Sequence, residues 1–85
     1  MKLQQGMTAI VTGGVSGLGE ATAHDLLARG LNVVAVDLND ERGNAMQNQY
    51  PGQLRYVKAD VTNAEQMTRA IEAAQAFGNL RALVH

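Results

Sequence analysis

The 85 residues carry a net charge of −1, 18% charged side chains and no cysteine, which bounds the chain to at most one small domain burying roughly 60% of its unfolded surface. Lysines and arginines are scattered, so no basic patch suggests nucleic acid and no polybasic run suggests a membrane; the lack of cysteine excludes disulfides and thiolate metal sites. Met1-Lys2-Leu3-Gln4-Gln5-Gly6 lacks the apolar centre of a signal peptide and no run nears the roughly 18 apolar residues of a membrane span, so a soluble cytoplasmic protein is expected.

Met7 to Thr12 is a short, nearly continuous apolar and β-branched run, the pattern of a strand buried on both faces of a parallel sheet. It leads into Gly13-Gly14-Val15-Ser16-Gly17-Leu18-Gly19. Glycines at 13, 17 and 19 allow a sharp turn, bring the peptide N–H groups within reach of a phosphate and let the next helix sit close to the strand. The helix start adds a dipole that favours an anion. The spacing is Gly-x-x-x-Gly-x-Gly, not Gly-x-Gly-x-x-Gly, and Glu20 stands where a phosphate loop needs lysine. A tight strand-to-helix turn that binds nothing would use the same glycines. The helix is predicted from about Ser16 or Gly17 to Arg29, with Leu18, Ala23, Leu26 and Leu27 as its inner stripe and Gly30 as its cap. His24, without a visible partner, reads as a solvated surface residue.

Asn32 to Val36 forms a second buried strand ending at Asp37, which lies 18 positions beyond Gly19. An acid near that distance, at the tip of strand two, suits the adenosine ribose hydroxyls of a dinucleotide; Asp also favours a turn or cap. A helix capped near Asn39 is predicted to about Gln49, burying Ala45 and Met46, and Tyr50-Pro51-Gly52 ends it. Leu54 to Lys58 alternates like an edge strand. Thr62-Asn63-Ala64-Glu65 matches a capping box for a helix from about Asn63 to Phe77. Met67, Ile71 and Ala74 make its inner stripe, a Glu65 to Arg69 pair its outside, and Gly78-Asn79 its end. Ala82-Leu83-Val84-His85 starts a fourth strand.

Four strands separated by three helices, joined by right-handed crossovers, predict an α/β fold with a Rossmann-type parallel sheet of order 3-2-1-4. The first two helices share one face. The third crosses to the other and leaves most of that face uncovered. Residues 1–85 then form the N-terminal portion of one doubly wound dinucleotide-binding domain, ending after strand four.

Thr12-Gly13-Gly14-Val15-Ser16-Gly17-Leu18-Gly19 resembles the Thr-Gly-x-x-x-Gly-x-Gly cofactor motif of the short-chain dehydrogenase/reductases, and Asp60-Val61 matches the Asp-Val pair after that family's third strand. The wording around Asp37-Leu38 and Ala59-Asp60-Val61-Thr62 is most similar to the type II 3-hydroxyacyl-CoA dehydrogenase branch. The resemblance implies cofactor contacts from Gly13, Ser16, Gly17, Leu18, Gly19 and Asp37, with the Asp60 carboxylate accepting from the adenine amino group and the Val61 backbone meeting the ring edge. It implies a tetrameric enzyme acting on a small hydroxyacyl or ketoacyl substrate. The family's catalytic Tyr-x-x-x-Lys and upstream Ser are missing, since Leu54 follows Tyr50 and Asp60 follows Tyr56 at the lysine position. This stretch is therefore expected to supply cofactor binding as part of a longer enzyme and to perform no hydride transfer by itself.

Asp37 also bears on cofactor choice. Two like unit charges about 5 Å apart at an effective dielectric of 20 repel by roughly 3 kcal/mol, which disfavours the 2′-phosphate of NADP. Ser16 and Leu38 occupy the places where NADP users put a basic residue, so NAD is expected. A 3-ketoacyl carrier-protein reductase and a nucleotide-binding module without chemistry remain the alternatives.

Overall fold

The computed structural model describes residues 4–84. Four parallel strands, β1 (Thr8–Thr12), β2 (Asn32–Asp37), β3 (Leu54–Lys58) and β4 (Leu80–Val84), alternate with helices α1 (Gly17–Ala28), α2 (Asp40–Gln49) and α3 (Ala64–Phe77). The sheet order is β3-β2-β1-β4, as the sequence predicts. β4 begins two residues earlier than expected, and His85 lies outside the described residues. Among the described residues no helix is long and apolar enough to cross a membrane.

Pleating divides the apolar residues of β1 and β2 between two cores. Ala9, Val11, Val33 and Ala35 point to one side with Leu26 and Leu27 of α1 and Met46 of α2. Ile10, Val34 and Val36 point to the other with Ala70 and Ala74 of α3. Helices one and two thus cover one face and helix three the other. Each fully buried aliphatic side chain contributes about 1.5–3 kcal/mol, which is why the unbroken run Val33-Val34-Ala35-Val36 anchors both layers.

Helical period alone assigned some faces wrongly. Leu18, expected in the inner stripe of α1, is 89% exposed, because the helix has only begun there and its first turn projects past the sheet edge. Ala45 of α2 is exposed and Gly43 is the residue that packs inward, since a Cβ at 43 would meet the Tyr56 ring. Ile71 of α3 is 41% exposed, with Ala70 buried instead, because the sheet beneath it ends at β4. The capping residue of α3 is Asn63, whose side chain accepts from Gln66 N at 3.0 Å, rather than Thr62. Arg69 reaches the Lys58 carbonyl at 3.4 Å and forms no ion pair with Glu65.

Candidate cofactor site

The carboxyl ends of β1, β2 and β3 share one edge of the sheet, because all three strands run parallel. There the chain leaves β1 through a turn closed onto β2: Gly13 N and Gly14 N both donate to the Val36 carbonyl, at 2.7 and 3.3 Å. Gly13 and Gly17 have φ of 65° and 54°, which glycine alone adopts readily. A Cβ at either would meet nothing within 4 Å, so the outer surface of the turn is open. Gly19 does a different job. A Cβ there would collide with the Gly13 carbonyl, so its bareness lets α1 start directly against the turn. Gly14, absent from the expected set, is equally constrained, with a Cβ falling 2.8 Å from Ala35 Cβ.

Asp37 ties this turn to β2. Its Oδ2 accepts from Val15 N (3.3 Å) and Ser16 Oγ (3.1 Å), and its Oδ1 accepts from Leu38 N (2.8 Å). Ser16 occupies the N-cap position of α1, yet its hydroxyl makes no capping bond and turns to Asp37 instead. The first-turn N–H groups of Gly17, Leu18 and Gly19 are thereby left to solvent or to an anion. No sequence signal marks Val15, because its contribution is a backbone N–H.

Asp60 and Val61 lie just past β3, and Ala59 N donates to the Asp37 carbonyl at 3.2 Å, which brings this loop to the same edge. Asp60 Oδ1 accepts from Thr62 Oγ1 (2.6 Å) and Thr62 N (2.9 Å), while Asp60 N donates to Gln66 Oε1 (2.7 Å). The Thr62 hydroxyl, and then its N–H, hold the Asp60 carboxyl below the usual carboxylate range. Val61 is exposed. The structure therefore brings the expected residues to one edge and joins Asp37 directly to the glycine turn, whereas the Asp60 carboxylate, among the described residues, accepts from Thr62 two positions on.

Both tyrosine hydroxyls are engaged by other side chains. The Tyr56 hydroxyl donates to Asp40 Oδ1 at 2.8 Å, and its pKa is pushed above the ordinary tyrosine value by burial, by that bond and by the charges of Asp40 and Asp37. Tyr50 OH pairs with His24 Nδ1 at 2.8 Å, and His24 Nε2 lies 3.4 Å from Glu20 Oε2. His24 is accordingly half-buried and partnered, not solvated as its place in the helix pattern suggested, because α2 brings Tyr50 over α1. Among the described residues, no three His, Cys, Asp or Glu gather in a way that would hold a metal ion.

A family model described as short chain dehydrogenase matches residues 7–85. A 2,5-dichloro-2,5-cyclohexadiene-1,4-diol dehydrogenase of Sphingobium indicum is 41% identical over 76 residues, 88% of this chain and 30% of that protein. A 3-alpha-(or 20-beta)-hydroxysteroid dehydrogenase of Mycobacterium tuberculosis is 40% identical over 81 residues, 94% of this chain and 31% of that protein. Among solved structures, the 3-hydroxyacyl-CoA dehydrogenase type-2 of Mycobacterium avium superposes with a TM-score of 0.91 at 43% identity, covering 100% of this chain and 34% of that one. The chain thus spans about a third of the length of the proteins it matches.

Proposed function

The chain belongs to the short-chain dehydrogenase family, and from that premise we propose that it is the NAD-binding portion of an oxidoreductase acting on a small hydroxyacyl or ketoacyl substrate, a 3-hydroxyacyl-CoA in the first instance. The observation that carries the proposal is the Ser16 hydroxyl, which leaves the start of α1 uncapped and fixes Asp37 against the glycine turn. Such a turn offers backbone donors to a pyrophosphate, beside a carboxylate aimed where a ribose diol would lie.

When bound, the dinucleotide would supply a hydride acceptor or donor. The roles of this chain are binding and orientation. Gly13 and Gly17 keep the turn open, and the N–H groups of Gly17, Leu18 and Gly19 face the anion. Asp37 accepts from the ribose, with the exposed Ser16 hydroxyl as the partner most readily displaced. Asp60 and the Val61 backbone would flank the adenine. A carboxylate at position 37 meets a 2′-phosphate with like charge, which supports NAD over NADP. On the same proposal proton transfer falls to residues of a longer, cytoplasmic and homo-oligomeric enzyme.

Amide resonances of the purified protein test the binding proposal. Added NAD should shift Val15, Leu18, Leu38 and Val61 together; unshifted Val15 and Leu38 would contradict it. Hydroxyacyl-CoA oxidation by the 85-residue chain alone would refute the division of labour.

A further inference from the structure

We propose that Glu20 is a specificity-determining residue, one that holds the Arg42 guanidinium away from the adenosine 2′ position and so preserves discrimination against a 2′-phosphate. The proposal rests on the dinucleotide reading and extends it to the second charged pair at the site. Arg42 is the third residue after the Asn39 cap of α2, with its N–H donating to Asn39 Oδ1 at 3.0 Å. Its side chain reaches across to α1, where Nη2 lies 2.9 Å from Glu20 Oε1. Both residues line a hollow together with Val15, the residue whose N–H donates to Asp37. The guanidinium thus shares a hollow with the residue that bonds the β2-end acid, and the partner it has there is Glu20.

The supply of cations makes this pair decisive. From Leu3 to Leu54 the chain has just two, Arg29 and Arg42. Arg29 pairs with Asp25 at the opposite end of α1. Lys58, the register partner of Asp37 on β3, is 3.5 Å from Asp40. Of these cations, Arg42 is the one that lines a hollow with Val15 of the glycine turn. A positive charge in the first turn of a helix is opposed by the helix dipole, so Arg42 needs an acid, and Glu20 is the one it has. Glu20 is itself positioned, since its other oxygen lies 3.4 Å from His24 Nε2 and His24 is held by Tyr50. Three side chains, Glu20, His24 and Tyr50, keep the guanidinium where it is.

The test is the ratio of NADP to NAD affinity, measured by calorimetric titration for the unaltered protein and for Glu20→Gln, Arg42→Gln and the double variant. Glu20→Gln should raise the ratio about tenfold, the effect of one exposed cation turned to a phosphate. Arg42→Gln alone should leave the ratio unchanged, and the double variant should cancel the gain. An unchanged ratio in Glu20→Gln, or a gain that survives in the double variant, overturns the proposal. So does a loss of NADP affinity in Arg42→Gln alone, which would mean that the guanidinium already serves the phosphate. Should Glu20→Gln fold poorly by circular dichroism, Glu20→Ser takes its place, and an unchanged ratio there overturns the proposal equally. If the unaltered protein binds neither dinucleotide, the underlying reading falls, and that outcome differs from discriminating binding that Glu20→Gln fails to shift.

Discussion

Two acids at one sheet edge are built in opposite ways. Asp37 joins segments 21 and 22 positions apart, accepting from Ser16 and Val15, whereas Asp60 accepts only from Thr62, two positions on. The first is held by the tertiary fold and in turn holds the glycine turn to β2. The second is a local turn that would persist if the neighbouring strand shifted. A ligand group that docks on Asp37 thus meets a carboxylate oriented before binding, and preorganised contacts lose less on binding than those that must be ordered.

Four substitutions probe this contrast, the largest effect first. Gly19→Ala places a methyl group against the Gly13 carbonyl, which must push α1 from the turn. A loss of about 3 kcal/mol of unfolding free energy is expected, read from denaturant midpoints. A loss near that of Gly17→Ala, where only positive φ opposes the side chain and about 1–2 kcal/mol is expected, would show the turn to be slack. Asp37→Ala removes the bond to the turn and, on the proposed function, the ribose acceptor, so the preference for NAD expected to be about a hundredfold in the unaltered protein should fall below about tenfold. Asp60→Asn should weaken NAD by only roughly fivefold with discrimination intact. Its stability effect has a defined pH window: the folded carboxyl is held low, so its stabilisation is present above about pH 4 and lost as pH falls through the folded value. The variant and the unaltered protein should converge in acid; convergence at neutral pH instead would remove the Thr62 bonds from the explanation.

The sequence made the sheet order and the place of Asp37 legible because both follow from short-range chemistry: continuous apolar runs for buried strands, glycines where φ is positive, an acid one strand beyond. What it concealed depends on partners brought by other elements. Leu18 fits a helical stripe by period but extends past the sheet, and Ile71 faces a sheet that ends at β4, where Leu83 is 62% exposed. His24 gains Tyr50 only through the packing of α2 on α1. Gly43 looks like a flaw in a helix until the Tyr56 ring beneath it is known. The glycine motif itself hides a division that only coordinates separate, since Gly13 and Gly17 are required by φ while Gly14 and Gly19 are required by contact.

The most direct test of the Asp37 assignment is a paired titration of the protein with NAD and NADP under one buffer and salt concentration. A carboxylate fixed between strand and turn predicts NAD binding about a hundredfold tighter than NADP, with the difference lost in Asp37→Ala. Equal affinities in the unaltered protein, or a preference that persists without the carboxylate, would contradict it.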